Sequence, residues 1–96
     1  MSDHGVNRYV VTLSYQEKGL GDLQSLNSAM VNGGYTTTLH DDDGHPHELG
    51  SNSFGIVSAL EEQDLADHAA ALAEVALHQR PEVSVTTLDA FLKAQP

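Results

Sequence analysis

The stretch H-D-D-D-G-H-P-H-E-L-G-S-N-S-F, residues 40–54, decides how this chain folds. It holds three of the six histidines, His40, His45 and His47, and the densest charge in the sequence. Asp43-Gly44 and His45-Pro46 are both turn dipeptides. The run before it, Tyr35 to Leu39, contains three threonines and suits a strand. The run after it, Phe54 to Val57, is also strand-forming, with Phe54 and Ile56 on one face and Gly55 and Val57 on the other. A turn-rich acidic segment between two such runs predicts a long exposed hairpin loop joining two strands.

Working outward, Arg8 to Tyr15 alternates. Tyr9, Val11, Leu13 and Tyr15 fall on one face, and Val10, Thr12 and Ser14 on the other, as in a first strand. Gln16 to Gly21 is a polar connection. Leu20, Leu23, Leu26, Met30 and Val31 then follow helical spacing over about three turns. Asp22 suits that helix's positive end, and Gly33-Gly34 its termination. Beyond the loop, Ser58-Ala59-Leu60-Glu61 has the form of a capping box. A second helix runs to about His78, with Leu65, Ala69, Leu72 and Ala76 on one face and His68 and Val75 flanking them. Arg80-Pro81 stops it. Glu82 to Thr87 alternates as a fourth strand, and Thr87 caps a last short helix, Leu88 to Lys93.

The order is therefore β-α-β-β-α-β. It predicts an α+β, ferredoxin-like sandwich: a four-stranded antiparallel sheet with two helices on one face, the other face open, and a short C-terminal helix. Residues 1–7 read as a flexible tail and 8–94 as a single domain.

The chain has 96 residues, no cysteine and a net charge of −10. Without cysteine it has no disulfide, no thiolate nucleophile and no cysteine zinc site. Arg8, Lys18, Arg80 and Lys93 are the only Lys or Arg residues. A broad basic nucleic-acid surface is thereby excluded, while a small local site is not. No apolar run approaches the ~20 residues of a membrane span. The N-terminus lacks the pattern of a signal peptide. The expectation is a cytoplasmic protein with neither membrane nor DNA as partner, a monomer or a homodimer.

Three groups of residues carry candidate chemistry. His40, Asp41, Asp42, Asp43, His45, His47 and Glu48 are all possible ligands for a divalent metal. Their spacing matches no known zinc or calcium motif, and a solvated acidic loop is the better default reading. His68, on the rim of an apolar helical stripe, is a general base if it faces a cleft and a packing residue otherwise. Asn52 and Ser53 suit a strand entrance, where they fix register. Phe54 is either core or a stacking surface for a base. The residues alone define a small acidic α+β domain without a stated activity.

Longer patterns add a resemblance. Tyr9-Val10-Val11 opens the first strand. Asp41, Gly44, Pro46 and Leu49 punctuate the loop, and Asn52-Ser53-Phe54 with Ile56 follows. Thr87, Asp89 and Phe91 close the chain. In these features, from about Tyr9 to Leu92, the sequence resembles the GhoS family, antitoxin endoribonucleases of type V toxin–antitoxin systems. The resemblance implies a ferredoxin-like fold and cleavage of the messenger RNA of a small membrane-active toxin, with single-stranded RNA as partner. It points to His40, His45, His47 and Asp41 as catalytic candidates. Arg8, Asn27, Asn52, Ser53 and Phe54 become candidates for RNA binding. The chain departs from the family where arginines are expected: Ser25, Asn27 and His47 stand there. Ser14, beside Tyr15, stands where related nucleases of the fold carry a metal-binding aspartate. Arginine is the usual phosphate partner, so fold carries over more securely than activity. The alternative is a non-catalytic acidic binding module that uses the open sheet face for a protein partner or for self-association.

Overall fold

A computed structural model of the chain describes residues 6–16, 20–50 and 52–94. Most of the expected tail, residues 1–5, and part of the first connection, residues 17–19, lie outside them. The elements are β1 (Asn7–Ser14), α1 (Leu20–Asn32), β2 (Thr38–His40), β3 (Pro46–Glu48), β4 (Ser53–Ser58), α2 (Glu62–Leu77), β5 (Glu82–Thr87) and α3 (Leu88–Lys93).

The alternation in β1 does what period-two patterning requires. Val11, Leu13, Phe54 and Tyr35 bury against Leu26 and Met30 of α1 and Ala69, Ala73 and Leu77 of α2. The alanines let α2 lie close to the sheet. Gly34, at φ +102°, ends α1 in a left-handed cap. Tyr35 N–H bonds the Met30 carbonyl and Gly34 N–H bonds that of Val31. This is the paired closure of a Schellman motif, and it turns Tyr35 straight into the core.

The sheet departs from the four-stranded expectation. It has three antiparallel strands in the order β4-β1-β5, and β2 and β3 form a separate two-stranded sheet. The run at residues 35–39 reaches the main sheet at a single bridge, Thr36 to Gly55. The Thr36 hydroxyl then bonds the Thr38 backbone on both its N–H and its carbonyl side. Such local bonding competes with a ladder and bends the chain away. Leu39 instead folds over Gly55, whose missing side chain leaves the room: a Cβ there would lie 2.4 Å from Leu39 Cγ.

The sheet's second face is consequently not left open over its whole extent. Val10, fully buried, packs with Leu39 and Leu49 from the hairpin and with Leu88, Phe91 and Leu92 from α3. What remains of that face is polar: Thr12, Ser14 and Ser84 with Glu82 line its other half. The capping box also fails to form. Helix α2 starts at Glu62, and Glu61, the cap residue, makes no side-chain cap bond. Ser58 sits at the end of β4 and its hydroxyl accepts the Leu60 N–H instead. The short helix α3 is capped as the sequence predicts, with the Thr87 hydroxyl accepting from the Ala90 N–H.

Candidate functional site

Asp41 is the hub of the hairpin. Its backbone N–H bonds the His45 carbonyl, and its carbonyl accepts from Gly44 N–H at 2.9 Å. Gly44 then takes φ +84°. A turn followed by a left-handed glycine is the commonest way to close a three-residue hairpin loop. The Asp41 side chain finishes the job. One carboxylate oxygen accepts the N–H groups of Asp43 and His45, both at 2.9 Å. The other oxygen lies 2.9 Å from His47 Nε2 and 3.7 Å from His45 Nδ1.

These contacts hold the Asp41 carboxyl down to about 2 from the ordinary 3.8. The His47 hydrogen bond is the largest cause and the His45 N–H the next; partial burial works against them. An ionised Asp41 accepts, so His47 Nε2 donates, which in the neutral imidazole leaves the lone pair on Nδ1. The Asp41 and His47 side chains are 23% and 31% exposed, while His45 is 74% exposed. Asp41, Asp43 and His45 each offer one ligand atom within 4.8 Å of the others, so a cation would find its donors there.

Arg8 reaches this hairpin from β1. Its guanidinium lies 2.8 Å from Asp42 Oδ1, and both groups border a groove that runs past Asn7 and Val57 to Leu88 and Asp89. The pair is largely exposed and adds little stability. It does fix the tip of the hairpin over the end of the sheet. Arg80 is likewise paired, with Glu74 at 3.2 Å. Two of the four Lys and Arg residues are thus already facing carboxylates.

The structure brings Asp41, His45 and His47 together, with Arg8 joined through Asp42. His40 is exposed, opposite Pro46 in register. Asn27 lies elsewhere, on the exposed side of α1, in a cleft shared with Leu23, Gln24, Ser28 and Gly50. Asn52 accepts from the Tyr15 hydroxyl at 3.2 Å, and its carbonyl accepts Leu13 N–H. Ser53 is buried, its hydroxyl 3.0 Å from that of Thr12. Phe54 is 1% exposed within the core and presents no ring face for stacking. His68 Nδ1 lies 2.9 Å from the Tyr35 hydroxyl, with the two rings stacked at 5.6 Å.

Sequence reasoning grouped the loop residues but missed the bond that organises them. The available signal was Asp41 itself: an aspartate at the head of a turn characteristically bonds the backbone two residues on. The Asp42 partner of Arg8 carried no such signal, because the two are distant in sequence.

A small acidic α+β protein, with a carboxylate and two imidazoles gathered on a braced hairpin, is the class these features define. The chain belongs to the GhoS family: the family model described as "Endoribonuclease GhoS" matches residues 1–94. It is also similar to two relatives named "Uncharacterized protein YdiZ", from Escherichia coli strain K12 and from Escherichia coli O157:H7. Each is 33% identical over 87 residues, which cover 91% of this chain and 91% of the relative. Among the described residues no helix is long and apolar enough to cross a membrane.

Proposed function

We propose that this protein is an endoribonuclease that cuts single-stranded RNA in the cytoplasm, acting as an antitoxin on the transcript of a small membrane-active toxin. The observation that carries this reading is the match to an endoribonuclease family over residues 1–94. The hairpin supports it with suitable chemistry. His47, oriented through Nε2 by Asp41, takes the proton of a ribose 2′-hydroxyl on Nδ1. The 2′-oxygen attacks the adjacent phosphorus, and the bond to the 5′-oxygen breaks. Protonated His45 gives that leaving oxygen its proton. The products are a 2′,3′-cyclic phosphate and a 5′-hydroxyl, with no water consumed. A carboxylate that orients one imidazole and holds another nearby is a familiar arrangement for general acid–base work. Arg8, released from its exposed pair with Asp42, supplies charge to the phosphate. Asn27 and Asn52 offer amide groups to exposed bases. If a divalent cation takes part, Asp41, Asp43 and His45 are the residues that would hold it, His45 then as a neutral ligand and not as the proton donor, and cleavage falls on adding a chelator.

The test is incubation of the pure protein with a candidate toxin transcript, across a range of pH, with and without divalent cations. The reading requires cleavage with cyclic-phosphate ends. Intact RNA under every condition refutes it. Binding that weakens as salt rises marks RNA contact, whereas an apolar protein-binding module is insensitive to salt.

A further inference from the structure

The outer surface of the two long helices carries a second feature, remote in character from the polar hairpin. Between α1 and α2 runs an apolar groove of about 420 Å³, bounded by Ala29 and Gly33 on one side and by His68, Ala71, Leu72 and Val75 on the other. That size lies within the range of about 300–1,000 Å³ typical of binding clefts. Its shape follows from small residues. A Cβ at Gly33 would lie 2.4 Å from Leu72 Cδ1, so the helices approach closely there and the groove is floored by alanine, glycine and the flank of Leu72. The His68 ring is fixed at one wall by its stacking on Tyr35.

Two observations suggest what would occupy this groove. First, Val75, which lines the groove, is 79% exposed, so an apolar side chain stands there in water. His68, Ala71, Leu72 and Val75 recur at the spacing by which one helix meets another. Second, the flanks carry one sign of charge. Residues 20–32 and 62–77 contain Asp22, Glu62, Asp64, Asp67 and Glu74, and no Lys or Arg. Asp64 and Asp67 stand one turn before His68 and Ala71 on the same helix face. Glu74 is paired with Arg80 and Asp67 accepts from Gln63 Nε2, while the net charge of these two helical segments stays negative. Such a surface repels RNA and repels a second copy of itself.

We propose that this groove docks a cationic amphipathic helix of a partner protein, its apolar stripe lying along Ala71, Leu72 and Val75 and its lysines or arginines reaching Asp64 and Asp67. Helix-in-groove binding of this kind uses apolar anchors at three- and four-residue spacing, and the charged rim adds rate and selectivity. The site is independent of the ribonuclease reading.

The test uses the full chain and a synthetic peptide with leucines at helical spacing and lysines on the flanks. Fluorescence anisotropy should show binding that weakens as salt rises from about 50 mM to about 500 mM. A peptide of the same composition in scrambled order should not bind. Val75→Lys, at an exposed position that leaves the circular dichroism unchanged, should weaken binding about tenfold or more. Asp67→Lys should weaken it chiefly through slower association. Equal binding of the scrambled peptide, or of Val75→Lys, overturns the proposal. So does sedimentation showing that the chain self-associates and that Val75→Lys abolishes the association.

Discussion

A methyl group added at Gly55 should push the hairpin off the sheet. The Cβ of Gly55→Ala would lie 2.4 Å from Leu39 Cγ, 2.6 Å from Cδ1 and 3.0 Å from Cδ2. Comfortable carbon–carbon contact needs about 3.5–4.0 Å, so Leu39 must retreat by roughly 1 Å. Leu39 is 5% exposed and closed in by Val10, Leu49 and Leu88, which leaves it little freedom to do so. Overpacking of this kind costs about 1–3 kcal/mol. Gly55 does not adopt positive φ, so alanine returns about 0.4–1 kcal/mol by restricting the unfolded chain. The net loss is about 1.3 kcal/mol at the middle of those two ranges. At an m-value of about 1 kcal/mol/M, the urea midpoint falls by about 1.3 M. Leu39→Ala alone should cost about 2–5 kcal/mol. In the double variant the new methyl partly fills the space that Leu39 leaves, so the two losses should fall short of their sum by about 1 kcal/mol or more. An unchanged midpoint for Gly55→Ala, or strict additivity in the double variant, would refute this packing of the hairpin.

Three further outcomes follow from individual contacts. Asp41→Asn should lower stability at neutral pH. The folded-state pKa of Asp41 is depressed, so its contribution is present above about 4 and is lost as pH falls from about 4 to about 2; urea midpoints of wild type and variant should converge in that window. Tyr35→Phe removes the hydroxyl that meets His68 Nδ1, and should cost about 0.5–1.5 kcal/mol in chemical denaturation. Thr87→Ala removes the cap of α3 and should cost about 0.5–2 kcal/mol, with faster amide exchange in residues 88–93 as its local signature.

The parts of the fold legible in the sequence were those governed by local periodicity. Strand β5 and helix α3 occupy the residues that alternation and the Thr87 cap indicate, and the Gly33-Gly34 pair ends α1 as expected. The failures share one cause: tertiary contacts overrode local signals. Ser58-x-x-Glu61 reads as a capping box, but Ser58 is committed to the end of β4 and Leu60 takes its hydroxyl. Tyr35 to Leu39 reads as one strand of the main sheet. Burial of Leu39 over Gly55 draws it across the sheet face instead, and so covers ground expected to be open. Gly55 was visible as a gap between bulky residues; what filled it was not. The histidines and aspartates of the hairpin were legible as a group, and an aspartate at the head of the turn was a signal for its closure, yet the hold of Asp41 on His47 emerges only from three-dimensional geometry.

The central claim is that the hairpin of a GhoS-family protein cuts RNA. It is tested most directly by comparing the wild type with the His45→Ala, His47→Ala double variant on one candidate toxin transcript. Circular dichroism should report the same fold for both. The account predicts cleavage by the wild type and a fall of about 10²-fold or more in the variant, the scale of lost general acid–base catalysis. Equal cleavage by both proteins would contradict it and move the chemistry away from the hairpin.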